Sequence, residues 1–410
     1  MQQDGIYFGP KDKPGTAFCV LFLQANSDSS TAELAGALAQ LWQLYEKLKQ
    51  GLVPDLAGIT VPAGELTVLF GYGLNVFKRT DLAFPAPRAL RDYGAFRSAN
   101  TAGGGPLLPG SGLSYAPYIS KNKCSEDMVV QFIGNSELAV NRALVETWKF
   151  LEDTARETGR AAPVSIAAFF KGFQRDDGRS WIDFHDGVSN LKSEEREGVI
   201  SIKPSNDPQE AWLDGGTYMA YMRIAVDIAA WRSIIPSKQE EIVGRAKLSG
   251  CPLVSASDLG GAVAVAGCPF TGTTQIGDLN NENFRETPVQ VDARISQSHV
   301  QRANHHQQPL DDPSSARIYR QGFEFLEATE QAPGFRLGLN FVSFQDTPQR
   351  LNRILTQPSW LGGTNFGGAE NGQNTVPGMS SLLAVIGAGM FLVPPRESDG
   401  SFPGAKLFGR

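Results

Sequence analysis

The spacing of apolar and polar positions changes several times along the chain, and each change marks an element. Phe18-Cys19-Val20-Leu21-Phe22-Leu23 is an unbroken apolar run of strand length, the pattern of a strand covered on both faces. Ser30 with Glu33 forms a capping box that opens a helix running through Leu48. Leu66 to Phe70 and Met128 to Ile133 read as two more strands. Asn135 or Ser136 caps a second helix, with Leu138, Val140, Leu144, Val145, Trp148 and Leu151 on its apolar side. A strand near Ile166 to Phe170 completes the order βαββαβ, a ferredoxin-like plan.

The second half repeats that plan loosely. Thr217 to Val226 reads as a strand, and Asp227 caps a helix containing Trp231, Ile234, Ile235, Ile242 and Val243. Phe335 to Phe344 reads as a strand, Thr347 caps a helix with Pro348 at its first position, and Leu382 to Val393 closes as a strand. The predicted class is α+β, with two ferredoxin-like domains spanning residues 1–205 and 206–410. Two long irregular stretches interrupt the elements: Phe84 to Lys123, rich in Pro, Gly and Ser, and about Cys268 to Ala316. Long loops inside a compact domain are usually functional or disordered, and the second, which contains His299, is read as functional. Lys192 to Glu197 is read as a solvated face.

Composition narrows the function. The chain has 410 residues, with 41% hydrophobic and 20% charged. A formal charge of −6 offers no basic stripe to displace phosphate counterions, so a general nucleic-acid binder and an anionic membrane surface are both disfavoured. No apolar run reaches the length of a membrane span. Cys19, Cys124, Cys251 and Cys268 form no C-x-x-C pair, and free thiols are expected. Met1 to Gly5 carries neither a basic and apolar leader nor a twin-arginine pair, which favours the cytoplasm. The glycine groups at 103–105, 260–261 and 367–368 lack the strand and helix context of a phosphate cradle and read as turns.

Three segments carry the candidate chemistry: Trp181 to Asn190, Ser298 to Asn304, and Tyr319 to Phe323. Together they supply a carboxylate, an imidazole and a guanidinium. Haem peroxidase chemistry needs that trio, an imidazole to hold iron and an acid–base group and a cation to split peroxide. In order and spacing they resemble the dye-decolorizing peroxidase family. Phe184-His185-Asp186-Gly187-Val188-Ser189 matches its F-x-D-G-x-S/T loop, Ser298 to Asn304 its S/A-H-I/V-x-R-x-N segment, and Arg320-Gln321-Gly322-Phe323 its R-x-G-[FY] turn. The likeness extends to Gly71 to Phe77, to Gln239 to Arg245 with Gly250, and to Gly389 to Pro395. The family loop is usually led by glycine, where this chain has Asp183, a residue type that tolerates unusual backbone angles. Gln301 stands where a basic residue often follows the ligand, and Gly322 stands where some members have asparagine.

The resemblance implies haem b in the cavity of the C-terminal domain, with His299 as the iron ligand, Asp186 as the acid–base group and Arg320 as the charge-stabilising cation. It implies that Phe184, Gly187, Ser189 and Arg302 border the cofactor. The N-terminal domain then carries the Asp186 loop and the C-terminal domain the iron ligand. Each residue has a plainer reading as well. Asp186-Gly187 is an ordinary turn pair, with Asp183 and His185 close enough to be mistaken for the catalyst. Arg317 competes with Arg320, and the glycine and aromatic residue that follow Arg320 favour it. His299, His305 and His306 form an alternative metal cluster, disfavoured because adjacent histidines in an extended loop point apart. Glu370 is the candidate acid orienting His299.

The function expected is a peroxidase taking hydrogen peroxide and organic electron donors. A haem-binding or haem-iron-handling protein on the same scaffold is the alternative, and a cofactor-free protein that shares only the fold is a third reading. Bulky substrates would need an electron route to the surface. Trp181, Trp212 and Trp360 sit in polar or glycine-rich surroundings and are expected to be exposed, whereas Trp148 and Trp231 are expected in the core.

Overall fold

The capping box is formed as the sequence predicts: Ser30 accepts from the Glu33 amide, Glu33 answers to the Ser30 amide, and the helix runs Thr31–Leu48. The computed structural model describes residues 2–6, 15–94, 113–115, 127–186, 190–191, 193–258, 291–303, 316–330, 332–355 and 382–410. Nine strands occur among them: β1 (Ala17–Ala25), β2 (Thr67–Tyr72), β3 (Leu113–Tyr115), β4 (Met128–Gly134), β5 (Val164–Phe173), β6 (Thr217–Val226), β7 (Tyr319–Ala328), β8 (Phe335–Gln345) and β9 (Leu383–Val393).

The sheet order is β2-β4-β1-β5-β7-β8-β6-β9-β3, and β2 also pairs with β9. It contains two antiparallel sets of four, β2-β4-β1-β5 and β7-β8-β6-β9, each with its chain-first strand in an inner position. This is the ferredoxin-like arrangement twice. The sets meet through Phe173↔Glu324 between β5 and β7 and Tyr72↔Leu392 between β2 and β9, so eight strands close into a ring.

Strand alternation divides the core in two. Phe18, Val20, Phe22, Met219, Tyr221, Tyr319, Phe323, Val342, Phe344 and Phe391 face one another across the two sets. The stacked pair Phe18–Phe323, with centroids 4.3 Å apart, and the edge-on pair Phe22–Tyr221 at 5.4 Å join the halves. Such contacts contribute about 0.5–1.5 kcal/mol each beyond burial. The opposite strand faces pack under the helices or line a cavity.

Several expectations change. Ser136 occupies the cap position of Glu137–Thr158 but makes no capping bond. That helix buries Ala139, Val140, Ala143, Glu146, Thr147 and Leu151, leaving Leu138, Val145 and Trp148 exposed, so its inward face is rotated and Trp148 is not core. Asp227 does cap Ile228–Ser233, accepting from Ala230 at 2.8 Å, but the predicted single helix is two. Pro236 starts the second, Pro236–Val243, and leaves Ile235 exposed at the break. In helix Ser193–Ile200, Arg196 is buried over the Tyr319 ring, so that run is not wholly solvated. Cys19 is a buried free thiol, whereas Cys251 is disulfide-bonded, against the expectation of free thiols. No helix among the described residues is long and apolar enough to cross a membrane.

Candidate active site

The segment read as an R-x-G-[FY] turn lies in the first half of strand β7. Alternation sends Tyr319 and Phe323 into the core between the sets and Arg320, Gly322 and Glu324 to the other face. That face is one wall of a cavity of about 300 Å³. Met222, Ile224, Val226, Leu339 and Phe341 extend the wall, while Val243, Val300, Leu351 and Ile354 enter from helices, so the lining is largely apolar.

The Asp186 loop is a tight fold held by its own backbone. Arg179 bridges His185, Ser180 N donates to Phe184 O, Asp183 N donates to Ser180 O, and Asp186 N donates to Gly178 O at 2.9 Å. Asp183 sits at φ +67°, the left-handed conformation for which the family's glycine would be suited and which aspartate tolerates. The Arg179 guanidinium pins the loop to the chain following Arg245 by donating to Asp183 O, Lys247 O and Leu248 O, and it also reaches His185 Nε2 at 2.8 Å. Burial and the Arg179 charge depress the His185 pKa. Phe184 is buried on the cavity wall.

Gly322 leaves the space that Asp186 uses: a Cβ there would lie 2.8 Å from Asp186 Oδ2. The acid is thus seated on β7 between the positions of Arg320 and Glu324. Asn190, at the end of the same loop, donates to Arg320 O at 2.7 Å and accepts from Arg320 N at 3.1 Å. One asparagine therefore fixes the loop against the Arg320 position of the strand. Its signal was its place at the end of the Asp186 motif.

His299 enters the cavity from helix His299–Ala303. Ser298, 1% exposed, precedes it, and its Oγ lies 2.2 Å from where a Gly244 Cβ would be. Gly244 ends Pro236–Val243 at φ +86°. Arg294 and Lys238 both pair with Glu241 of that helix, tying down the approach to His299. Gly244→Ala is expected to cost about 1–3 kcal/mol through backbone strain and collision with Ser298. Thermal unfolding would show a lowered Tm, and haem titration a weaker complex.

Among the described residues three guanidiniums line the cavity: Arg245, Arg317 and Arg320. Burial lowers the pKa of Arg320, with Asp186 opposing and Arg317 reinforcing the shift. Burial likewise depresses Arg245, with the Arg320 charge adding to the effect. Arginine nevertheless remains charged at physiological pH. Burial and the neighbouring Asp186 charge push the Glu324 carboxyl up to about 9. The site therefore combines cations, an acid–base candidate and a neutral carboxyl in an apolar enclosure. Arg245 and Glu324 were not among the sequence candidates; Arg245 stands at the end of the Gln239 to Arg245 motif, and Glu324 follows Arg320 at strand period.

Asp186, Arg320, Phe184 and His299 thus share one cavity, with Arg317 alongside Arg320. Arg302 is on the His299 helix but is not part of the described lining. Gly187, Ser189, His305, His306, Trp360, Glu370 and the three glycine groups lie outside the described residues. Trp231 is buried as expected, but so is Trp212, at 8% exposure, because it stacks on Phe84. Trp181 is half-buried and lines the cavity.

The residues fit haem: a histidine for iron, an apolar enclosure for the ring, and guanidiniums suited to its carboxylates. Among known proteins, the chain is 22% identical to the dye-decolorizing peroxidase of Thermobifida fusca over 338 residues, covering 79% of this chain and 67% of that one. It is 26% identical over 256 residues to a Shigella flexneri deferrochelatase, covering 55% of this chain and 53% of that protein's length. The crystal structure of a DyP-type peroxidase from Cellulomonas bogoriensis superposes with a TM-score of 0.68 at 19% identity, covering 100% of this chain and 96% of the other. The family described as "Dyp-type peroxidase, C-terminal" matches residues 177–398, from the start of the Asp186 loop through β9. With more than half the sequence inside that match, the chain belongs to the Dyp-type peroxidase family of haem enzymes.

Proposed function

We propose that the protein is a haem b peroxidase that uses hydrogen peroxide to oxidise organic reductants, bulky dyes and phenols among them, by one-electron steps. The observation that carries this reading is the convergence of Asp186, Arg320 and His299 on one cavity. His299 would hold the iron through an imidazole nitrogen, and Arg245 and Arg317 offer partners for the haem carboxylates. Bound haem supplies the iron at which peroxide is cleaved and through which the reductant's electrons pass. Asp186 takes a proton from the attacking peroxide oxygen and returns it to the departing one, while Arg320 stabilises the negative charge that develops there. The apolar lining excludes water and strengthens both effects. In this reading residues 1–205 bring the acid–base loop and residues 206–410 the iron ligand.

Absorption spectroscopy tests it. Haem-loaded protein should show a Soret band that shifts on adding hydrogen peroxide and recovers as a dye is consumed. A loaded protein with no Soret band would end this reading. The match to a deferrochelatase supports haem-iron handling as a second reading. Loss of iron from bound haem without peroxide-dependent oxidation would favour it. The disulfide at Cys251 weighs for an oxidising compartment over the cytoplasm.

A polycyclic dye has no evident room beside Asp186 and Arg320, so its electron would travel through the protein. Trp181 is suited to carry it. Its ring lines the cavity, is held by Nε1 donating to Phe325 O at 2.9 Å, and lies under the Arg175 guanidinium at 4.9 Å. Trp181→Phe should lower turnover of a large anthraquinone dye several-fold more than turnover of a small phenol. Equal effects on both substrates would place the route elsewhere.

A further inference from the structure

Glu324 is 4% exposed and lines the same cavity as Asp186, and its Oε1 has no hydrogen-bond partner among the described residues. A carboxyl oxygen so placed would be costly to bury as an anion. Strand geometry sets Arg320, Gly322 and Glu324 on one face at intervals of about 7 Å. The Asp186 carboxylate occupies the gap left by Gly322. Asp186 thus has a permanent cation toward one end of the strand and a second carboxyl toward the other.

The groups facing Glu324 come from the segment that follows β5 and packs against β7. They are the charges of Asp186, Arg175 and Asp177 and the Trp181 amide. Arg175 is already engaged by Asp177 at 2.5 Å, which leaves it a weak counter-ion for Glu324. Two neighbouring carboxyls in one largely apolar enclosure do not both ionise readily; one keeps a proton. Glu324 is the more deeply buried of the two and has the unpartnered oxygen, so the proton resides on Glu324.

We propose that Glu324 is a second proton-carrying residue of this site, holding a proton beside Asp186 and sharing it with that carboxylate. This rests on the reading of Asp186 as the acid–base group. In the exchange the Glu324 O–H bond breaks as an O–H bond forms on Asp186, and the pair keeps one proton and one negative charge throughout. Asp186 then has a proton for the departing oxygen even before it has taken one from peroxide. The proton that peroxide gives up restores the pair, so no outside acid is consumed. Glu324 acts through Asp186 and is a positioning residue in that sense.

The shared proton is present while Glu324 is protonated and is lost as pH rises through about 9. The holoenzyme labelled with carboxyl-¹³C glutamate should show, by pH-difference infrared spectroscopy, a protonated glutamate band at neutral pH that disappears with a midpoint near 9 and is missing in Glu324→Gln. Stopped-flow Soret changes with peroxide should show an alkaline limb over the same range in wild type. In Glu324→Gln the neutral-pH rate should fall about tenfold, below the usual loss for a primary acid–base group. The alkaline limb should also flatten, and Glu324→Asp should restore it. Absence of the glutamate band at neutral pH would overturn the proposal, as would an alkaline limb unchanged in Glu324→Gln. The labelled wild-type spectrum decides by itself if the variants do not fold. A normal Soret response to peroxide with no glutamate band would defeat only this role, whereas absence of the peroxide response in wild type would defeat the peroxidase reading instead.

Discussion

His299→Ala is expected to abolish the Soret band of the haem-loaded protein. Among the described cavity-lining residues the other imidazole is His185, and its Nε2 is already engaged by Arg179 and lies near Leu248 O at 3.2 Å. The His299 helix is also the one anchored through Ser298, with Arg294 and Glu241 securing its approach. Haem titration with difference spectroscopy would measure the loss, and added imidazole should restore part of the band by filling the vacated coordination position. His305→Ala and His306→Ala should bind haem like the wild type. Equal loss in all three variants would remove His299 from its assigned role.

Asp186→Asn and Arg320→Leu should each keep haem yet react slowly with hydrogen peroxide in stopped flow. Loss of the acid–base group is expected to cost about 10² to 10⁴ in rate. Loss of the charge-stabilising cation is expected to cost about 10² to 10³. Arg317 is the internal control. It lines the cavity and bears electrostatically on Arg320, but Arg320 is the residue Asn190 clamps to the Asp186 loop. Arg317→Leu should therefore weaken haem binding more than it slows the peroxide step. The reverse pattern, a crippled peroxide step in Arg317→Leu with a mild Arg320→Leu, would exchange their roles.

Elements that bury a whole face were legible in the sequence. Phe18 to Leu23, the Ser30 capping box and the Asp227 cap all read correctly because local chemistry and packing agree there. Strand β7 was read as a turn because its outward face serves the cavity rather than a packed layer. Arg320, Gly322 and Glu324 interrupt the apolar signal, and only their period of two betrays the strand. The same misreading hid Glu324, whose meaning depends on sharing a face with Arg320. The motif at Asp186 was legible, but its seat against Gly322 was not, since that contact joins loop and strand far apart in sequence. The long helix misled for a simpler reason. Leu138, Val145 and Trp148 form an apolar stripe, while the inward face uses the small residues Ala139 and Ala143 together with Thr147, whose hydroxyl is satisfied by Ala143 O and Tyr45.

Closure of the strand ring bears on what can be made as a separate fragment. Each ferredoxin-like set ends in strands whose outer neighbours come from the other half, β5 against β7 and β2 against β9. Severing the chain between the halves would uncover backbone donors and acceptors on both, together with the aromatic faces that Phe18 and Phe323 turn toward each other. Expressed separately, the halves would present the raw edges and apolar surface on which polypeptides aggregate or exchange segments. Co-expressed, they should find each other, making this a scaffold whose complementation can report on the meeting of its two pieces.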